Sequence, residues 1–178
     1  MTKHTPTINT RLPLAALALA LAAAAGSVTA AVATATSSST VVTPIAISKA
    51  TDLAFGSFAA GASAGSVTVS TSAARTFTGG VVLMGGTISA AKFDVTGQNG
   101  LNYSIVFGGT TQLTSGSDTM AFATVSDLSG AGAVSGNVSS GTLGASGQSI
   151  YVGGVLTVAA NQPAGSYSGS VTATVVYE

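Results

Sequence analysis

Hydrophobic and polar positions sort most sharply at the C-terminal end of the chain. From Tyr167 every second residue is Tyr167, Gly169, Val171, Ala173, Val175 and Tyr177, and the intervening set is Ser166, Ser168, Ser170, Thr172, Thr174, Val176 and Glu178. Successive side chains of a strand point to opposite faces, so a period of two sends one set into a core and the other toward water. The stretch predicts a half-buried strand longer than the usual five or six residues. Nothing follows it in the sequence, so its partner strands are expected from far upstream.

The same period recurs along the chain. Thr40 to Ile47 reads as a strand interrupted at Pro44, which cannot donate a ladder hydrogen bond and so marks an edge or a kink. Leu53 and Phe55 share one side of the next run, Ala59 to Gly65 reads as a loop, and Val67 and Val69 point inward from Ser66 to Thr71. Glycine pairs at Gly79-Gly80 and Gly85-Gly86 bracket a short apolar run, Val81 to Met84, expected to be buried. Phe93 and Val95 alternate before Gln98-Asn99-Gly100, and Leu101, Tyr103, Ile105 and Phe107 alternate after it. Asn-Gly between two alternating runs is the strongest short hairpin signal, and a hairpin is expected here. Met120 and Phe122 share a parity, Ser126 to Gly147 is rich in Gly, Ser and Ala with a weak strand near Val138, and Ser149 to Val158 is a strand broken at Gly153-Gly154. About eight or nine strands, spaced by turns and without a helical stripe, predict an all-β, mainly antiparallel sandwich.

Composition changes this picture at the N-terminus. Lys3 and Arg11 precede an apolar run from Leu12 to Ala25 and then Gly26-Ser27-Val28-Thr29-Ala30, the pattern of a secretory leader cut after Ala30, with Ala33 as the second choice. An apolar run of about 14 residues is short for a bilayer span, which needs roughly 20. Removal of residues 1–30 leaves 148 of the 178, enough for one domain over 41–178 with a real core. Residues 31–40, with Ala31, Ala33 and Ala35 alternating with Val32, Thr34 and Thr36, form either a flexible tail or an extended arm.

Charge and chemistry are both sparse. The exported part carries Lys49, Arg75 and Lys92 against Asp52, Asp94, Asp118, Asp127 and Glu178, a net −2 that argues against nucleic acid as partner. With no cysteine, the chain has neither disulfides nor thiol chemistry. Gly61-Ala62-Ser63-Ala64-Gly65 matches a hydrolase elbow, but the only histidine, His4, falls in the leader, and a strand rather than a helix follows. The aspartates lie in separate segments without calcium-loop spacing, so no metal site is expected. Gly130-Ala131-Gly132 opens no helix, which removes nucleotide binding. The sequons at Asn102 and Asn137 read as incidental, and the aromatics at strand spacing read as core. No catalytic residue and no cofactor is expected.

Three motifs in order carry a family resemblance: Thr51-Asp52-Leu53-Ala54-Phe55-Gly56, Phe93-Asp94-Val95-Thr96-Gly97, and Pro163-Ala164-Gly165-Ser166-Tyr167-Ser168-Gly169 before the closing strand. From about Val41 to Glu178 the chain resembles a family of bacterial secreted proteins known as a domain of unknown function (number forty-four-oh-two). More distantly it is similar to spore coat protein U and to chaperone–usher fimbrial subunits. The fimbrial resemblance implies an immunoglobulin-like sandwich lacking its last strand, filled by a periplasmic chaperone and then by the arm of another copy. Here the strand-exchange groove would be bordered by Val41, Ile45, Ile47, Tyr167, Val171, Val175 and Tyr177, and the donor arm would present Ala31, Ala33 and Ala35. Many fimbrial subunits have a disulfide that this chain lacks, and alanines fill such a groove weakly, so a self-complete sandwich is the rival. The expected function is a non-enzymatic surface structural subunit, pilin-like or coat-like, in the periplasm or outside the cell. The alternatives are a monomeric module that binds carbohydrate or a surface ligand through Gly130 to Gly147, and, ranked last, a small outer-membrane barrel.

Overall fold

The structure, a computed structural model, describes residues 30–178. The expected leader therefore lies outside the described residues except for Ala30. Residues 30–40 belong to a unit separate from Val41–Glu178; they carry no strand and are exposed, Ala31, Ala33 and Ala35 among them.

Val41–Glu178 is all-β. Its strands in chain order are β1 (Ala46–Thr51), β2 (Ala54–Phe55), β3 (Phe58–Val69), β4 (Arg75–Leu83), β5 (Ile88–Ser89), β6 (Ala91–Thr96), β7 (Asn102–Gly109), β8 (Gln112–Ser115), β9 (Asp118–Asp127), β10 (Ser140–Thr142), β11 (Gln148–Val158) and β12 (Val171–Tyr177). Three of these, β2, β5 and β10, are only two or three residues long. The others match the eight or nine strands that periodicity predicts. Every pairing among them is antiparallel.

The organising element is β11. One of its edges pairs with β9 over Tyr151–Thr157, while the other pairs first with β6 over Gln148–Val152 and then with β3 over Gly154–Val158. The partner changes at Gly153-Gly154, where the sequence suggests a break. The strand does not break there: a Cβ on Gly153 would collide with the Val69 carbonyl and Ser70, so the missing side chain is what lets β3 come in beside β6. The result is a large sheet, β1-β6-β11-β3-β4 with β9 and β8 beyond the other edge of β11, facing a small sheet, β10-β7-β12.

Two apolar clusters follow from this layout. Phe93 and Val95 of β6, Ile150 and Val152 of β11, Tyr103 and Ile105 of β7 and Val175 of β12 are buried together between the sheets. Phe55, Val67, Val69, Val81, Met120, Phe122, Leu156 and Val158 make the second cluster, drawn from β2, β3, β4, β9 and β11. The alternation at the C-terminus holds: Val175 is buried, Val171, Ala173 and Tyr177 are half-buried, and Thr172, Thr174 and Val176 are exposed.

Other expectations need correction. Gln98-Asn99-Gly100 does not make a hairpin, because β6 pairs with β1 and β11 whereas β7 pairs with β10 and β12. The turn, with Gly100 at φ 82°, carries the chain from one sheet to the other. Both flanking strands still bury one parity, each against the opposite sheet, so hairpin and crossing give the same pattern in sequence. Ala59 to Gly65 is not a loop but part of β3, which bulges between Ala60 and Gly65 against β4. Its Gly, Ala and Ser residues look like a linker, yet a Cβ at Gly65 would strike the Thr78 carbonyl, so small residues serve close pairing here. Val81 to Met84 is not a buried run; Val81 is buried and Val82 and Met84 are exposed. The closing strand starts at Val171 rather than Tyr167. The first strand starts at Ala46, two residues past Pro44, so the stretch before the proline is not strand; β1 itself is an edge strand.

Candidate functional site

Two sheet edges meet at one side of the sandwich. Among the described residues β1 pairs only with β6, and β12 only with β7. Each therefore has a row of backbone N–H and C=O groups without a ladder partner, the usual template for pairing with another chain.

The seam between them is closed at one end. The Tyr177 hydroxyl donates to the Thr43 carbonyl (2.8 Å) and accepts the Gln98 N–H (2.6 Å), tying the end of β12 to the segment that enters β1. Gly97 makes room for it, since a Cβ there would overlap the Tyr177 hydroxyl. On the far side Tyr167–Ser170 leaves the line of β12 and crosses to β8. Ser168 and Thr114 exchange backbone hydrogen bonds of 3.0 and 2.9 Å, and Thr110 N–H reaches the Ser170 carbonyl at 2.9 Å. This crossing is why the long alternating stretch splits into two pieces with different partners.

Between these closures lies a cavity of about 1000 Å³. Phe55, Phe93, Leu113, Met120, Phe122 and Leu156 supply apolar wall, and Lys49, Asp52, Gln162 and Tyr167 stand among its polar residues. The Phe55 and Phe122 rings meet edge to face, centroids 6.0 Å apart. Arg75 anchors one wall: its guanidinium donates to the Phe55 carbonyl (2.8 Å), the Ser57 carbonyl (3.2 Å) and the Met84 carbonyl. Lys49 and Asp52 form an exposed ion pair at 2.6 Å, which cancels charge there and adds little stability. The Tyr167 hydroxyl donates to the Pro163 carbonyl (2.9 Å) and accepts from Gln162 Nε2 (2.9 Å).

The residues expected to border a groove divide accordingly. Val41 is 93% exposed, outside any strand and outside the cavity wall. Ile45, Ile47, Val175 and Tyr177 pack on the core between the sheets, Tyr167 packs on the second core, and Val171 touches both. Tyr167 and Val171 line the cavity, but Ile45, Ile47, Val175 and Tyr177 do not. Periodicity alone misses Phe55, Phe122 and Leu156 as cavity wall, because it marks them as core without showing that their cover is incomplete. It misses Arg75 as well; a lone arginine opening a strand gives no signal of carbonyl partners 9 to 20 residues away.

The sequence motifs lie elsewhere. Ser63 of the elbow-like motif is exposed in the β3 bulge. Among the described residues no three His, Cys, Asp or Glu side chains come together to hold a metal. Asp127 shapes the Gly-rich segment by accepting N–H groups of Ser129 (3.0 Å), Gly130 and Ala131 (3.1 Å) and the Thr71 hydroxyl. Burial pushes its carboxyl upward, but the bonds from Thr71, Gly130 and Ser129 outweigh this and hold it below the ordinary carboxylate value. The Ser149 hydroxyl and the Lys92 ammonium likewise hold Asp94 low. Asn102 is exposed in β7 and accepts the Thr142 hydroxyl at 2.7 Å, while exposed Asn137 donates to Thr124. No helix among the described residues is long and apolar enough to cross a membrane.

These features define an antiparallel all-β sandwich in which the free edges of β1 and β12 reach, at one end, a cavity of mixed polar and apolar lining. The chain belongs to the family described as "Domain of unknown function (DUF4402)", whose model matches residues 45–177. That span begins at Ile45 and ends at Tyr177, so it takes in both edges of the seam. No curated protein matches the chain.

Proposed function

We propose that this protein is an exported, non-enzymatic structural subunit of the cell surface that takes a β-strand from another molecule into the seam between β1 and β12. One observation carries the reading: two strand edges without ladder partners lie side by side, and one end of each, Lys49 and Thr51 of β1 and Val171 of β12, reaches a cavity of about 1000 Å³ with a mixed polar and apolar wall. A strand laid there would satisfy the N–H and C=O groups of the edges and cover the exposed wall in one step. Residues 31–178 contain neither histidine nor cysteine, which is in keeping with a structural use. The leader pattern of residues 1–30 supports export through the general pathway. The reading admits two donor classes: the Ala31–Thr40 arm of a second copy, and a different protein such as an export chaperone or another surface subunit.

The test is an unheated denaturing gel of protein recovered from the periplasm and cell surface, followed by the same samples after boiling. The expected result is one or more heat-sensitive complexes that collapse to the subunit on boiling. Protein that runs as a monomer in every fraction before heating contradicts strand addition.

A further inference from the structure

We infer that the cavity between the two core clusters is a binding site for a neutral amphiphile, a small molecule with an apolar body and an uncharged, hydroxylated end. This use is separate from strand addition, because β1 and β12 reach the cavity only through Lys49, Thr51 and Val171, at one end of each strand. Packing gives the first reason. Protein interiors hold few voids larger than a water molecule. This cavity of about 1000 Å³ stands instead at the upper end of the volumes that hold small molecules, about 300–1000 Å³. It lies where the core divides: Leu53 and Val171 pack on both clusters, and Phe58, Leu113 and Tyr167 pack on the second. Each of these side chains is half-buried and lines the cavity, so it has neighbours on one side and an uncovered face on the other. Water fills such space poorly, because a buried water needs about two to four polar partners and aliphatic or phenyl surface offers none. An apolar body would cover these faces and join the two clusters.

The rest of the wall is polar and already in place. Gln162 Nε2 donates to the Tyr167 hydroxyl (2.9 Å) and the Thr119 carbonyl (3.1 Å), while its Oε1 accepts the Ala159 N–H (3.3 Å), so this side is held without a ligand. Thr51, Ser57 and the Ser166–Ser170 stretch add hydroxyl and peptide groups. Among the described residues that line the cavity only Lys49 and Asp52 are charged, and they pair with each other at 2.6 Å. A carboxylate or ammonium group entering here would lose water without gaining a counterion. A hydroxyl group exchanges its water for the peptide and hydroxyl groups of the wall. Volume, uncovered apolar faces and a self-neutralised ion pair point to the same class of ligand.

Titration calorimetry of the purified protein with monolauroylglycerol, laurate at neutral pH and glycerol, each kept below the concentration at which it forms micelles, tests the site. The thermal midpoint gives a second readout. The monoglyceride is expected to bind one to a chain and to raise the midpoint, laurate to bind about tenfold more weakly, and glycerol not to bind. Ala60→Leu fills the cavity from a half-buried position of β3 and is expected to abolish binding with the circular dichroism unchanged. Leu113→Trp, on β8, does the same if the first variant does not fold. Asp52→Asn leaves Lys49 without its partner and is expected to bring laurate close to the affinity of the monoglyceride, a change that a merely structural role for Asp52 would not produce. No binding of the monoglyceride overturns the inference, as does laurate binding equally tightly to the wild type. Binding that survives in a folded, cavity-filled variant, or laurate binding that Asp52→Asn leaves unchanged, overturns it as well. None of these results touches the heat-sensitive complexes, so this site and strand addition fail separately.

Discussion

Val175 and Thr174 test the facing of the closing strand directly. Val175 is 9% exposed, lies opposite Ile105 of β7 and belongs to the core between the sheets. Thr174, one residue before it, lies opposite Val106, and both are exposed. Val175→Asp removes the burial of a valine, about 2 kcal/mol. It also places a carboxyl where the charge is unpaired, so the group must stay protonated to remain inside. Keeping an aspartate of ordinary pKa near 3.9 neutral at pH 7 costs about 4 kcal/mol, at 1.36 kcal/mol per unit. The total, about 6 kcal/mol, approaches the whole stability of a typical domain, about 5–15 kcal/mol. Because the folded-state pKa of this aspartate is raised, the second component shrinks as pH falls, to about 1 kcal/mol at pH 4.5. Thr174→Asp should cost less than about 0.5 kcal/mol, as surface changes usually do. Urea unfolding followed by far-UV circular dichroism at pH 7.0 and 4.5 measures all of these. Equal losses from the two substitutions, or a Val175→Asp loss that does not change with pH, refute the facing assignment.

Three further outcomes follow from single groups. Tyr103 is fully buried, burial raises its phenol pKa, and its hydroxyl has no hydrogen-bond partner; Tyr103→Phe should therefore be neutral or stabilise by about 1 kcal/mol in urea titration, and a clear loss would reveal a partner for the hydroxyl. Asp127→Ala strips the acceptor from three N–H groups and the Thr71 hydroxyl, at a cost of about 2 kcal/mol. Since the folded pKa of Asp127 is depressed, its stabilisation is present above the unfolded value near 3.9 and is lost as pH falls through the lower folded value, so the variant should show a smaller acid-induced drop than the wild type. Tyr177→Phe opens the closed end of the seam by removing the bonds to Thr43 and Gln98, with a loss of about 1–2 kcal/mol and faster amide exchange at Gln98.

The strand faces were legible in the sequence because burial on one side of a strand leaves a period of two. Val67 and Val69, Phe93 and Val95, Tyr103 and Ile105, and Val175 are all buried as their parity predicts. Which strands pair was not legible. The Asn99-Gly100 turn joins two alternating runs whether they are neighbours in one sheet or face each other across a core, and only contacts with β1, β11, β10 and β12 separate these cases. Glycine misled in a consistent way. At Gly61, Gly65 and Gly153 it suggested loops and breaks, but the backbone there stays extended and the missing Cβ allows another backbone to come close. The site suffered from the same limit. Tyr167, Val171 and Val41 came to the groove through the fimbrial resemblance; the first two line the cavity, while Val41 lies outside the strand that starts at Ala46. Phe55, Phe122 and Leu156 look like any core residues until the strands that fail to cover them are known.

Amide hydrogen exchange on the protein alone and in the heat-sensitive complexes recovered from the cell surface shows whether the seam accepts a strand. Alternate amides of an edge strand point away from its single partner, so an added strand should protect them. Exchange is expected to be at least tenfold slower in Lys49–Thr51 and Val171–Thr174 in the complex, with the other free edges, β4 and β10, unchanged. Protection that appears on one of those edges, or a complex in which β1 and β12 exchange as before, contradicts strand addition at this seam.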